Sequence, residues 1–313
     1  MSISRRQLLK SIGVGAVGIS LIQTSKLSPS YAQSPTSAEV AAYFRFALGD
    51  YEMIVVSDNA FGLPIGFFGA NVSEDEVRTQ LESLHIPIGN GGTVNATVMI
   101  LILTQGERVT LFDTGTGINA GKLVPTLNAL GISPDAVTEI VMSHYHPDHI
   151  DGLSNNGTLT FPNAQVFFAQ PEYDFMQANP DVASAALDKL QPALDADLVT
   201  FYAPDTEVTE GVFSIPTYGH TAGHMSFLIR SGDTQLINVA DAIISPYTFM
   251  PNPEWSFGFD ADPVQAAESR KTLLDRIASE RTLMFGYHFP FPGLGYAVRQ
   301  GDAESYTFVP AAF

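Results

Sequence analysis

The sequence predicts an α/β fold in which mixed β-sheets are covered by helices. Three observations carry this. Short apolar and β-branched runs recur at 51–56, 94–104, 109–112, 139–143, 164–169 and 234–239. Helical stretches alternate with them along the chain, an order that packs helices against sheets. Hydrophobic residues make up 45% of the 313 positions, enough for a sizeable core.

The elements follow in order. Runs 43–48 and 51–56 flank Gly49-Asp50 and read as a β-hairpin. Residues 58–70 are rich in glycine and aromatics and have no clean period, so they read as a loop. Ser73 precedes Glu74-Asp75-Glu76 and then Val77, Leu81 and Leu84. This predicts an amphipathic helix with Ser73 as N-cap and Glu76 closing a capping box. A long strand at 94–104 turns through 105–108 into the strand 109–112. A helix over 122–130 is stopped by Gly131. A short helical turn at 133–135 precedes the strand 139–143. Beyond it lie a strand at 164–169 and helices over 171–178 and 181–194. Segment 213–217 leads into a glycine-rich element, and 225–230 pairs with 234–239 around Ser231-Gly232-Asp233. Asp262 caps the last long helix, with Pro263 at its first position and Gln265 three residues after the cap. That helix runs to about 279, and a strand at 282–285 leads to His288. No internal repeat is present.

Composition narrows the chemistry. There are no cysteines, which excludes disulfides, thiolate metal ligands and a cysteine nucleophile. Net charge is −18. Residues 1–32 hold four basic side chains (Arg5, Arg6, Lys10, Lys26) and no acidic ones, so the rest of the chain carries 11 basic against 33 acidic residues, −22. Such a surface repels phosphate backbones and argues against nucleic-acid partners.

The N-terminus reads as an export signal. Ser4-Arg5-Arg6-Gln7-Leu8-Leu9-Lys10 resembles a twin-arginine sequence. The apolar stretch 12–22 contains three glycines and is short of the about 20 residues that a membrane span needs. Ser30-Tyr31-Ala32 places small residues where a signal peptidase reads, which predicts cleavage after Ala32 and a periplasmic or secreted product. No stable membrane span is expected.

Three of the seven histidines stand within His144-Tyr145-His146-Pro147-Asp148-His149. Pro147 cannot extend the preceding strand, so the segment turns and can aim its side chains at one centre. Imidazole and carboxylate are ligands for zinc and similar ions. The segment has the His-x-His-x-Asp-His signature and resembles the metallo-β-lactamase-fold hydrolases. Four further motifs stand in family order: Asp113-Thr114-Gly115 after its strand, Gly219-His220-Thr221-Ala222-Gly223-His224, Asp241 after an apolar run, and His288 in Gly286-Tyr287-His288. The resemblance covers roughly 50–310. It implies an αββα sandwich of two mixed β-sheets between helix layers. One site then needs most of the chain, so 33–313 is expected to be a single catalytic domain after the signal at 1–32.

The resemblance implies two divalent metal ions, zinc first, with manganese, cobalt or iron compatible with these donors. It assigns His144, His146 and His224 to one ion, Asp148, His149 and His288 to the other, and Asp241 to both. Asp113 is expected to orient a ligand histidine through its free N–H. His220 is expected to hydrogen-bond within its loop, and His85 to be a surface or packing residue. Two ions about 3.5–4 Å apart can share a hydroxide that attacks an ester-like carbonyl or a phosphotriester. Asp148 is the candidate to protonate the leaving group; a metal-bound water is the other source.

Aromatics concentrate at Phe249, Trp255, Phe257 and Phe259, and with Phe61, Phe67, Phe68 and Phe291 they are candidates to line an apolar substrate pocket, each as apt to pack in the core. Segments 252–260 and 286–293 resemble the methyl parathion hydrolase branch, whose members hydrolyse phosphotriesters, aryl esters and lactones. The expectation is an exported binuclear hydrolase of small neutral hydrophobic substrates. A glyoxalase-type thioesterase and a β-lactamase are alternatives, as is a non-catalytic metal-binding protein. The acidic chain disfavours the anionic glutathione of the first. The lack of cysteine together with the presence of Asp241 disfavours the second. The intact donor set disfavours the third.

Overall fold

The computed structural model describes residues 42–301 and 304–313. The export signal expected at 1–32 lies outside the described residues. Two seven-stranded sheets form the body. The first begins with strands β1 (Tyr43–Leu48) and β2 (Tyr51–Pro64), followed by helix α1 (Glu74–Ser83) and strands β3 (Thr93–Gln105) and β4 (Arg108–Phe112). Helix α2 (Leu123–Ala129), strand β5 (Glu139–Val141), the single turn α3 (Pro147–Ile150) and a small hairpin of β6 (Ser154–Asn155) and β7 (Thr158–Leu159) come next. Strand β8 (Gln165–Ala169), helices α4 (Gln170–Ala178) and α5 (Pro180–Asp195), and strand β9 (Val199–Tyr202) complete this half. The second sheet is built from β10 (Glu207–Thr209), β11 (Val212–Pro216), β12 (Met225–Ser231) and β13 (Thr234–Asn238), then helix α6 (Pro263–Glu280) and strands β14 (Leu283–Phe285), β15 (Leu294–Arg299) and β16 (Tyr306–Pro310).

Strand order is β1-β2-β3-β4-β5-β8-β9 in one sheet and sequential from β10 to β16 in the other. Both are mixed. In the first sheet β4, β5, β8 and β9 run parallel to one another beside the antiparallel β1 to β4, and in the second β13 and β14 are the parallel pair among antiparallel strands. The sheets pack face to face; Phe112 of β4 and Phe227 of β12 meet at 5.9 Å across the interface. Helices α2 and α4 contact the first sheet and α6 the second, completing the αββα sandwich. The parallel pairs β4–β5 and β13–β14 position the site, because Asp113, the segment 144–149, Asp241 and His288 all follow the carboxyl ends of these four strands.

Several local expectations hold at atomic detail. Ser73 Oγ accepts from the Glu76 backbone N–H while the Glu76 carboxylate accepts from the Ser73 N–H, so both halves of the capping box are present. Asp262 accepts from the Gln265 N–H at 3.0 Å and caps α6. One expectation is corrected. Segment 58–70 is not a loop: β2 continues through Pro64 and a 3₁₀ turn follows at Ile65–Gly69. A register shift between Ser57 and Asn59 breaks the alternation that sequence would show, and the β3 partner supplies the ladder to the end.

Candidate metal centre

Asp113 follows β4 with φ 64°, a left-handed conformation that aspartate tolerates better than most residues. Its buried carboxylate accepts from the Ser143 N–H at 2.7 Å and the Ser143 hydroxyl at 2.7 Å. The same carboxylate lies 2.9 Å from His149 Nδ1. That bond leaves the His149 Nε2 lone pair free to face the site, and Asp113 has the orienting position expected of it. His288 is fixed in the same sense, with Nδ1 2.6 Å from the Thr97 carbonyl. The Tyr287 ring stacks on His149 at 4.0 Å, and its hydroxyl donates to the Asp148 carbonyl.

Two groups of donor atoms result. His144 Nε2 lies 3.1 Å from His146 Nδ1, and His146 Nδ1 lies 2.9 Å from His220 Nε2. Asp241 Oδ2 stands 3.3 Å from His220 Nε2 and 3.8 Å from His144 Nε2. In the second group Asp148 Oδ2 lies 3.8 Å from His149 Nε2 and 3.5 Å from His288 Nε2. Asp241 Oδ1 completes it, 3.1 Å from His149 Nε2 and 3.2 Å from His288 Nε2. Four donors about 2.1 Å from a common tetrahedral centre stand roughly 3.4 Å apart. Both groups match that spacing, and Asp241 turns one oxygen to each.

Polar accounting points the same way. His149 Nε2 and Asp241 Oδ1 are buried, and neither has a hydrogen-bond partner. Orphaned buried polar atoms are costly unless something pairs with them. Burial holds His144 and His146 well below the usual imidazole range, keeping neutral rings with lone pairs to give. Burial also opposes charge on His149 and His220. There the carboxylates prevail: Asp241, Asp148 and Asp113 hold His149 well above its usual range, and Asp241 and Asp260 raise His220 to about 9. The carboxylates thus demand positive charge where the ring nitrogens converge. Donor set, spacing and field all fit two divalent cations.

One expectation is reversed. His224 is not among the converging donors, and His220 is. Both ring nitrogens of His224 are already engaged: Nδ1 lies 2.9 Å from Thr217 Oγ1, and Nε2 accepts from the Asp241 backbone N–H at 3.0 Å. His224 therefore has no lone pair to offer, and it fixes the backbone of Asp241 instead. His220 has Nδ1 3.1 Å from Asp260 Oδ1, so its Nε2 is free to face the site.

The rest of that glycine-rich element is explained by packing. A Cβ at Gly219 would lie 2.1 Å from Ala266 N, and one at Gly223 would lie 2.2 Å from Glu172 N. Glu172 itself, buried in the first turn of α4, was not singled out by the sequence. Its carboxylate accepts from the Tyr145 N–H at 3.1 Å, the Thr221 hydroxyl at 2.9 Å and the Gly223 N–H at 2.7 Å. One side chain thus ties the 144–149 segment to the 219–224 segment. Burial raises its pKa to about 7, with the three donors pulling it back.

Above the donors opens a cleft of about 240 Å³, lined by Phe61, Leu63, Ala96, Pro147, Ile244, Phe257 and Phe259 together with His146, Asp148, His220, Asp241 and His288. Among the described residues that line it, every polar side chain belongs to the donor cluster. Of the expected pocket aromatics, Phe61, Phe257 and Phe259 line this cleft. Phe68 and Phe249 are buried and stack on each other at 6.5 Å behind it. Phe67 backs the wall, 5.0 Å from Phe259. Trp255 borders a groove beside α1 instead. A second chamber of about 370 Å³ shares Ala96, Ile244 and His288 with the cleft and continues past Phe68, Ile86 and Tyr247.

The family model of the metallo-β-lactamase superfamily matches residues 89–288. An N-acyl homoserine lactonase of Bacillus cereus is 28% identical over 168 residues, which is 53% of this chain and 62% of that protein. A hydroxyacylglutathione hydrolase of Tolumonas auensis is 27% identical over 128 residues, 41% of each chain. The chain therefore spans about three-fifths of the length of the lactonase it matches. Two solved structures are similar over 88% of this chain and 99% of their own. One is the hydrolase AbOPH of the beta lactamase superfamily, with TM-score 0.80 and 25% identity. The other is AidC, a dizinc quorum-quenching lactonase solved with a product, with TM-score 0.79 and 26% identity.

Proposed function

Since the chain belongs to the metallo-β-lactamase superfamily, we propose that it is an exported, binuclear metal-dependent hydrolase. Its substrates are small, neutral and hydrophobic lactones and aryl esters, with phosphotriesters as a further class. The observation that carries the reading is the placing of Asp241 between two donor groups, one carboxylate oxygen toward each, at the floor of an apolar cleft. His144, His146 and His220 would hold one cation and Asp148, His149 and His288 the other, with Asp241 placed to serve both. Two divalent cations held there, zinc first for so histidine-rich a set, supply Lewis-acid polarisation of the scissile group and an activated water.

The chain's own residues do the rest. Asp113 and the Thr97 carbonyl keep His149 and His288 in the tautomer that faces inward. Asp148 is the most solvent-accessible carboxylate of the cluster, 20% exposed against 5% for Asp241. It lines the cleft, and from there it can hand a proton to the leaving oxygen. Phe61, Phe257 and Phe259 exclude water and offer flat apolar area to an aryl or alkyl group. The cleft alone is smaller than the roughly 300 Å³ at which small-molecule sites begin, so a larger substrate extends into the neighbouring chamber. No Lys or Arg stands among its lining residues, which disfavours the carboxylates of a glutathione thioester. The lactonase relatives favour lactones within the substrate class.

Metal analysis of the purified chain, followed by a hydrolysis panel of lactones, aryl esters, phosphotriesters and β-lactams, tests this. About two metal equivalents are expected, with turnover of lactones or aryl esters. A dizinc protein inert toward every neutral ester would overturn the reading. Export is tested by N-terminal sequencing of periplasmic protein. A start at Gln33 is expected, and an intact Met1 defeats the proposal.

A further inference from the structure

Asp260 stands between two features so far treated apart, the donor histidine His220 and the aromatic wall of the cleft. Its Oδ1 lies 3.1 Å from His220 Nδ1, and its Oδ2 accepts from the Phe257 backbone N–H at 2.9 Å. The Asp260 N–H closes the turn by donating to the Phe257 carbonyl at 3.0 Å. The carboxylate is wholly buried, so water cannot replace either partner. Beneath it lies Arg270 of α6, a fully buried guanidinium. Arg270 lies 3.5 Å from Asp260 Oδ2 and donates to the carbonyls of Ala242, Pro253 and Trp255. The segment from Pro253 to Asp260 is thereby held against the residue that follows Asp241.

The rings follow the backbone. Phe257 stacks on His220 at 6.0 Å with 30° between planes, and Phe259 approaches His146 at 6.5 Å. Any displacement of the Phe257–Asp260 turn therefore moves the acceptor that sets the direction of the His220 lone pair. The converse also holds. We infer that Asp260 is a positioning residue that couples metal affinity at the His144, His146 and His220 position to occupancy of the aromatic wall. This rests on the proposed metal centre but goes beyond it: binding of an aromatic group tightens the metal, and the metal tightens the aromatic group by the same factor.

The test uses a probe that cannot coordinate metal. Zinc affinity of the full chain is measured by chelator competition with and without ethylbenzene, a neutral aromatic hydrocarbon. In the wild-type chain ethylbenzene should raise zinc affinity at least about threefold. In Asp260→Asn zinc affinity should fall about tenfold or more, the usual cost of losing a carboxylate behind a ligand histidine, and the response to ethylbenzene should vanish. At saturating zinc the same variant should show a raised KM for phenyl acetate. Phe259→Ala, at an exposed position, should raise that KM and leave zinc affinity without ethylbenzene unchanged. A wild-type zinc affinity indifferent to ethylbenzene overturns the coupling, and this measurement depends on no variant folding. A chain that binds no zinc would instead defeat the proposed function, so the two failures are distinguishable.

Discussion

At the scale of single residues, His220 and His224 show what sequence can and cannot carry. The crowding of His144, His146, Asp148 and His149 is legible because the donors share one turn. The choice between two histidines four positions apart is not. It is decided by Thr217 and the Asp241 N–H, which engage both nitrogens of His224, and by Asp260, which leaves Nε2 of His220 free. We expect His220→Ala to lose about one of two zinc equivalents and most activity. His224→Ala should keep both equivalents at saturating zinc, with weaker affinity because the Asp241 backbone loosens. Loss of one equivalent from His224→Ala alone would restore the reading the geometry reverses. The aromatics separate in the same way. Phe257 lines the cleft, whereas Trp255 presses on Gly69, where a Cβ would meet its ring at 3.1 Å. Phe257→Ala should raise KM for aryl esters several-fold. Trp255→Ala should lower Tm and leave that KM in place; a reversal of the two in steady-state kinetics would move the pocket.

At the scale of elements, most helices and the strands next to the motifs could be read ahead, because capping boxes, proline at the first helical turn and β-branched runs are local signals. What could not be read is how elements meet. Glu172 looks like an ordinary acidic residue in the first turn of a helix, yet its three donors come from two distant segments. Residues 58–64 have strand structure only because β3 lies beside them. The meeting of α4 with the glycine-rich segment gives a sharp expectation. A methyl group at Gly223 would sit 2.2 Å from a backbone nitrogen, and neither helix nor loop can yield cheaply. Gly223→Ala should therefore cost about 1–3 kcal/mol, the usual range for overpacking. It should also reduce zinc content, since the displaced segment carries His220. Calorimetry and metal analysis on one preparation check both, and a variant with unchanged Tm would mean that α4 and the loop do not meet as described.

At the scale of the whole molecule, charge and site oppose each other. The chain carries a net charge of −18, which repels anions over distances of about a Debye length, roughly 8 Å at physiological salt. Two bound divalent cations would reverse the sign locally. An anionic substrate is thus slowed on approach and helped on arrival, while a neutral one meets neither effect. Within the cleft the balance tips further. Its walls outside the donor cluster are apolar, so a second charged oxygen would be buried without a partner. Neutral aryl esters or lactones should therefore show kcat/KM at least about tenfold above bis(4-nitrophenyl) phosphate, equivalent to roughly 1.4 kcal/mol in the transition state. Raising the salt from low to high should narrow the gap by the part due to long-range repulsion and leave the part due to the cleft. Faster cleavage of the phosphodiester than of every neutral ester tested would show that the cations, not the acidic surface and apolar walls, set the preference.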